Sequence, residues 1–84
     1  MTVTVYTKPD CRQCDATKRY LSERDVSFGV ESLEDAANLA AAKALGHMGA
    51  PVVVFAPDGA GTEVSWSGFR PDMLDTVVEK MKGR

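Results

Sequence analysis

Apolar and polar positions change period several times along this chain, and each change marks a new element. Val3 and Val5 alternate with Thr2, Thr4 and Tyr6, a period of two in β-forming residues, so residues 2–6 predict a strand. Thr7-Lys8-Pro9-Asp10 is the turn that ends it. From Cys11 to about Arg24 no breaker interrupts the chain, and Ala16, Tyr20 and Leu21 can share one face of a helix. Residues 26–31 carry a weaker strand pattern, with Phe28 and Val30 on one side and Gly29 lowering the strand propensity.

Ser32-Leu33-Glu34-Asp35 offers a helix cap and an acidic first turn, an alanine-rich run continues to Leu45, and Gly46 stops it. Val52-Val53-Val54-Phe55 is uncharged and rich in β-branched residues, as expected of a strand covered on both faces. Residues 56–62, with Pro57, Asp58, Gly59 and Gly61, predict a turn and the one segment with the composition of a mobile loop; residues 63–66 then return as a strand. Pro71 suits the first position of a last helix, where Leu74, Val77, Val78 and Met81 form an apolar stripe. The order β-α-β-α-β-β-α predicts an α/β fold: the βαβ start gives a parallel pair and the hairpin adds antiparallel strands. The result is a four-stranded mixed sheet flanked by three helices.

Size and charge narrow the classes. Eighty-four residues at 44% hydrophobic read as one small domain over residues 1–84, with no room for a second catalytic module. The longest uncharged run, Gly46 to Ala56, falls far short of the roughly 18 apolar residues of a membrane span. Met1-Thr2-Val3-Thr4 has neither a basic flank nor an apolar targeting core, so a cytoplasmic protein is expected. A net charge of −2 argues against a nucleic-acid binder. Charge is nevertheless uneven: residues 1–24 hold five Lys/Arg against three Asp/Glu, whereas residues 25–69 hold Lys43 alone against six acids. That leans towards an acidic partner segment near the N-terminal third, or simply towards a solvated helix face bearing Lys18 and Arg19.

The candidate chemistry sits in that basic third. The chain has two cysteines, Cys11-Arg12-Gln13-Cys14, where a strand gives way to a helix. The unpaired N–H groups and partial positive charge of a helix start favour a thiolate on Cys11. Lys8 would help, or be one more solvated lysine, and Asp10 would oppose. A staple is the duller reading, but so short a loop removes little unfolded-state entropy. Metal binding is the other: Cys11, Cys14 and His47 fall short of the four ligands of a closed zinc site. His47 would approach the sulfurs or tie down its own loop, and Met48 would pack.

The Cys-x-x-Cys at the first strand–helix junction and Ala50-Pro51-Val52-Val53 before the third strand resemble the thioredoxin superfamily at glutaredoxin size. Cys11-Arg12-Gln13-Cys14, Ala16-Thr17-Lys18-Arg19 and Trp66-Ser67-Gly68-Phe69-Arg70-Pro71-Asp72 together resemble the NrdH redoxins more closely. The resemblance implies a thioredoxin/glutaredoxin-like fold and a cis Pro51, with the backbone of Ala50 turned towards an extended partner peptide. It implies dithiol-disulfide exchange, with Cys11 as nucleophile and Cys14 as resolving thiol, and no bound cofactor. Electrons would come from NADPH through thioredoxin reductase and pass to the large subunit of class Ib ribonucleotide reductase, the redoxin acting as a monomer.

Glutathione-using glutaredoxins resemble a Gly-Gly-x-x-Asp segment where this chain has Phe69, Arg70 and Pro71. Trp66, Ser67, Gly68, Phe69 and Arg70 are therefore expected to dock a protein beside the cysteines, although Trp66 and Phe69 taken alone read as core and Arg70 as a local hydrogen-bonding group. A glutathione-dependent glutaredoxin, a general protein disulfide reductase and a non-catalytic adaptor presenting residues 66–70 remain the alternatives. Departures from the NrdH pattern are the long 56–62 loop and the acidic Asp10 before Cys11.

Overall fold

Strand β1 (Thr2–Thr7) is paired on both sides, and everything else is arranged around it. In this computed structural model, which describes residues 1–57 and 63–82, β1 runs parallel to β2 (Gly29–Ser32), with Thr4 opposite Gly29 and Thr7 opposite Ser32. On its other side it runs antiparallel to β3 (Val52–Ala56), with Val3 opposite Phe55 and Val5 opposite Val53. Strand β4 (Val64–Ser67) closes the four-stranded order β2-β1-β3-β4, with Trp66 opposite Val53. The mixed sheet and the three helices, α1 (Arg12–Glu23), α2 (Ala36–Ala44) and α3 (Pro71–Lys82), realise the expected topology. The predicted 56–62 turn lies outside the described residues apart from Ala56 and Pro57.

Strand alternation decides where the core sits. The register puts Val3, Val5, Val53, Phe55 and Trp66 on one face, where they meet Leu21 of α1 and Leu74 and Val77 of α3. Each such fully buried aliphatic side chain stabilises by about 1.5–3 kcal/mol relative to exposure. The opposite face receives α2, whose buried residue is Ala42 alone.

Both of the first two helices end by the same hydrogen-bond pattern. At α1, Asp25 N–H donates to Ser22 O and Val26 N–H to Leu21 O, with Asp25 at φ 60° in the left-handed region. At α2, Gly46 N–H donates to Lys43 O and His47 N–H to Ala42 O, with Gly46 at φ 90°. The first of these moves a predicted boundary. Residues 24–26 close the helix, so β2 begins at Gly29 rather than at 26, and Val26 is a buried part of the core. At α2 the cap is Asp35, whose carboxylate accepts from Ala37 N–H and Asn38 N–H, while Ser32 ends β2.

The register also gathers the chemistry. Tyr6 and Ser67 both stand opposite Val52, so the end of β1, the start of β3 and the end of β4 lie together at one edge of the sheet. Residues 8–14, 50–51 and 67–70 are the segments that leave from that edge.

Candidate active site

Cys11 is the N-cap of α1. Its backbone is extended, at φ −116° and ψ 104°, and its sulfur accepts a hydrogen bond from Cys14 N–H at 3.1 Å. A helix start thus aims an unpaired donor at the sulfur, which favours negative charge there. Asp10 precedes it at φ 56°, a left-handed conformation that aspartate tolerates better than most residues. The two cysteines are joined in a disulfide with their Cα atoms 5.2 Å apart. Their surroundings differ: Cys11 is half-buried, and Cys14 is 1% exposed. An incoming group can therefore reach Cys11 and not Cys14.

Polar groups of residues 68–70 are paired within the protein. Gln13, inside the Cys-x-x-Cys, accepts from Phe69 N–H through Oε1 at 2.8 Å. Gly68 N–H donates to Pro51 O at 2.8 Å. Gly68 has φ 84°, a conformation that favours glycine, and a Cβ there would stand 3.2 Å from Gln13 Oε1, close enough to press on the oxygen that holds Phe69 N–H. Arg70 grips Asp72 in a two-pronged pair at 3.1 and 2.9 Å. That pair, above all its hydrogen bonds, holds the Asp72 carboxyl below the usual range. The Phe69 ring meets Tyr20 edge-on, with centroids 5.9 Å apart. Tyr20 in turn donates its hydroxyl to Asp75 of α3, the main cause of its raised pKa, and Arg24 stacks 3.5 Å over its ring.

Each residue singled out from sequence thus has a place. Pro51 follows Ala50 through a cis peptide and is buried. Trp66 is 5% exposed and belongs to the core rather than to an accessible surface; Ser67, Gly68 and Phe69 are half-buried and Arg70 is exposed. His47 shares a 2.8 Å hydrogen bond with Ser65 of β4, which ties its loop to the sheet. Lys8 stands exposed at the rim of a groove of about 280 Å³.

That groove was not foreseen from sequence. Leu33, Leu39, Lys43 and Met48 line it opposite Lys8 and Ala50. Its residues come from four separate stretches of chain, and only the topology brings them together. Gln13 was likewise overlooked, because a glutamine between two cysteines does not reveal that it holds a loop 56 residues away. Among the described residues, no three of His, Cys, Asp and Glu gather as a metal site would require.

A family model described as glutaredoxin matches residues 3–58, a span that includes Cys11, Cys14 and Pro51. Over 80 residues the chain is 42% identical to the glutaredoxin-like protein NrdH of Escherichia coli strain K12, covering 92% of this chain and 89% of that protein. The chain belongs to the NrdH family of glutaredoxin-like redoxins. The NrdH protein of Lactococcus lactis strain MG1363 is 32% identical over 73 residues, covering 86% of this chain and 93% of its own. The solved NrdH-redoxin of Escherichia coli has a TM-score of 0.80 at 40% identity, with 92% of this chain and 95% of that one covered. At 17% identity and a TM-score of 0.68, thioredoxin f2 of Chlamydomonas reinhardtii shares the fold. As an NrdH-type redoxin, this chain is a thiol-disulfide oxidoreductase. No helix among its described residues is long and apolar enough to cross a membrane.

Proposed function

We propose that this redoxin is a cytoplasmic electron carrier that reduces class Ib ribonucleotide reductase and is itself reset by thioredoxin reductase at the expense of NADPH. The Cys11 thiolate attacks one sulfur of the partner disulfide, forming a mixed disulfide and freeing one partner thiolate. The Cys14 thiolate then attacks the Cys11 sulfur, closing the Cys11–Cys14 disulfide and freeing the second partner thiolate. Two electrons pass to the partner. The contrast between an accessible Cys11 and a buried Cys14 supports this order of attack.

The choice of a flavoprotein over glutathione rests on one observation. The Phe69 and Gly68 N–H groups and the Arg70 guanidinium are already engaged by Gln13, Pro51 and Asp72, so the segment offers few free donors to the charged end of a tripeptide. The relative from Escherichia coli is described as having a thioredoxin-like activity profile, which agrees with this reading. A protein partner would meet instead the groove between Lys8 and α2, with Ala50 offering backbone pairing to an extended segment. Lys8 would stabilise the Cys11 thiolate from the rim.

The test offers the oxidised protein both electron sources, glutathione with its reductase or thioredoxin reductase with NADPH. Faster reduction by thioredoxin reductase is expected. Faster reduction by glutathione would overturn the assignment in favour of a glutathione-dependent glutaredoxin.

A further inference from the structure

Thr17 is 0% exposed, and its Oγ1 and the Trp66 Nε1 are the two buried side-chain polar atoms without a hydrogen-bond partner among the described residues. Buried hydroxyls are normally paired, because losing water without replacement costs free energy. The usual remedy within a helix is the carbonyl one turn back. Thr76 of α3 takes it, donating to Asp72 O at 3.4 Å, whereas Thr17 does not. In the sequence Thr17 stands within Ala16-Thr17-Lys18-Arg19, a stretch that by itself suggests no task for it.

Its position supplies one. The buried residues of α1 are Cys14, Thr17 and Leu21, spaced i, i+3, i+7 along a single stripe. Side chains on a helix lean towards its N-terminus, so the Thr17 side chain lies back over the turn that carries Cys14. In the disulfide the Cys14 sulfur is committed to Cys11. Once that bond opens, the sulfur sits at a place 1% exposed, where water is scarce and an ionised thiolate is disfavoured. The charged residues next to the cysteines, Asp10, Arg12 and Asp15, are all exposed.

The geometry points to Thr17 as a positioning residue for the resolving cysteine: its unpartnered hydroxyl donates to the Cys14 sulfur whenever the disulfide is open. The hydrogen bond steadies the thiolate that must attack Cys11. In that step the Cys14 proton passes to the partner thiolate freed by the first exchange. The Cys14–Cys11 bond forms as the bond from Cys11 to the partner breaks, the electron pair leaves with the partner sulfur, and Thr17 keeps its own proton throughout. This role rests on Cys14 being the resolving thiol, as proposed above.

Two variants test it. Thr17→Val keeps the shape and removes the hydroxyl, and Thr17→Ser keeps the hydroxyl. In the reduced protein the pH titration of the Cys14 Cβ carbon shift, followed by NMR, moves to higher pH in Thr17→Val and stays near the parent in Thr17→Ser. In stopped flow, release of partner from the mixed disulfide slows roughly tenfold in Thr17→Val, as expected for one lost hydrogen bond to a charged acceptor, and Thr17→Ser restores it. Formation of the mixed disulfide, measured in the Cys14→Ser background, is unchanged by either. A Thr17→Val protein with the parent titration and the parent release rate would overturn the proposal, and so would equal slowing in both variants, which marks packing alone. The titration reads the hydrogen bond itself, so it decides on Thr17 even if Cys14→Ser traps no partner and the exchange order falls.

Discussion

The two faces of the sheet are built differently. On one, α1 and α3 press Leu21, Leu74 and Val77 into Val3, Val5, Val53, Phe55 and Trp66, and Tyr20 bridges the two helices through Asp75. On the other, the alanine-rich α2 buries Ala42 alone, leaving Leu39 at 40% and Met48 at 88% exposure beside an open groove. The first face holds what must not move, the disulfide-bearing turn and the 67–70 segment. The second offers apolar surface and the cations Lys8 and Lys43 within reach of the same edge. The tightly packed core thus lies on one side of the sheet, and the exposed apolar residues Leu39 and Met48 on the other.

The contrast can be broken most forcefully in the core. Leu74→Ala should cost about 2–5 kcal/mol in urea unfolding, because a fully buried leucine leaves a cavity. Leu39→Ala on α2 should stay within about 0.5 kcal/mol, and an equal loss at both positions would erase the distinction. Next in size is Gly68→Ala, where a left-handed backbone and the nearby Gln13 oxygen together predict a loss of about 1–2 kcal/mol and slower reduction of a protein disulfide. In the opposite direction, Asp25→Gly relieves a left-handed non-glycine residue and removes a negative charge from the C-terminal end of α1. The melting temperature should rise by about 2–4 °C, corresponding to roughly 0.5 kcal/mol. A fall would mean that the Asp25 side chain stabilises the turn.

The smallest expected effect is at Asp72. Its pKa is held down by Arg70, so the folded state binds that proton less readily than the unfolded chain. The pair's contribution is therefore complete above the ordinary carboxylate range and disappears as pH falls through and below it. Asp72→Asn should flatten this slope in acid, and unfolding curves between pH 7 and pH 3 that match the parent would show the pair to be inert.

Local pattern made most of the fold legible. The valine runs of β1 and β3, the stripe of α3 behind Pro71 and the Cys-x-x-Cys at a strand–helix junction each carry their own signal. The start of β2 was not legible, since Val26 reads equally well as a strand residue and as the hydrogen-bond donor that closes α1. Thr17 looked like any helix-face residue until packing buried it. Contacts distant in sequence, such as Gln13 to Phe69 and His47 to Ser65, leave no periodic trace.

In the proposed exchange Cys11 attacks and Cys14 releases. Its most direct measurement is to incubate reduced Cys14→Ser protein with a disulfide-bearing tail peptide of ribonucleotide reductase and to weigh the products. A stable adduct linked through Cys11, absent when Cys11→Ser is used instead, is the predicted result. Free peptide thiols with no adduct, or an adduct carried by the Cys11→Ser protein through Cys14, would contradict it.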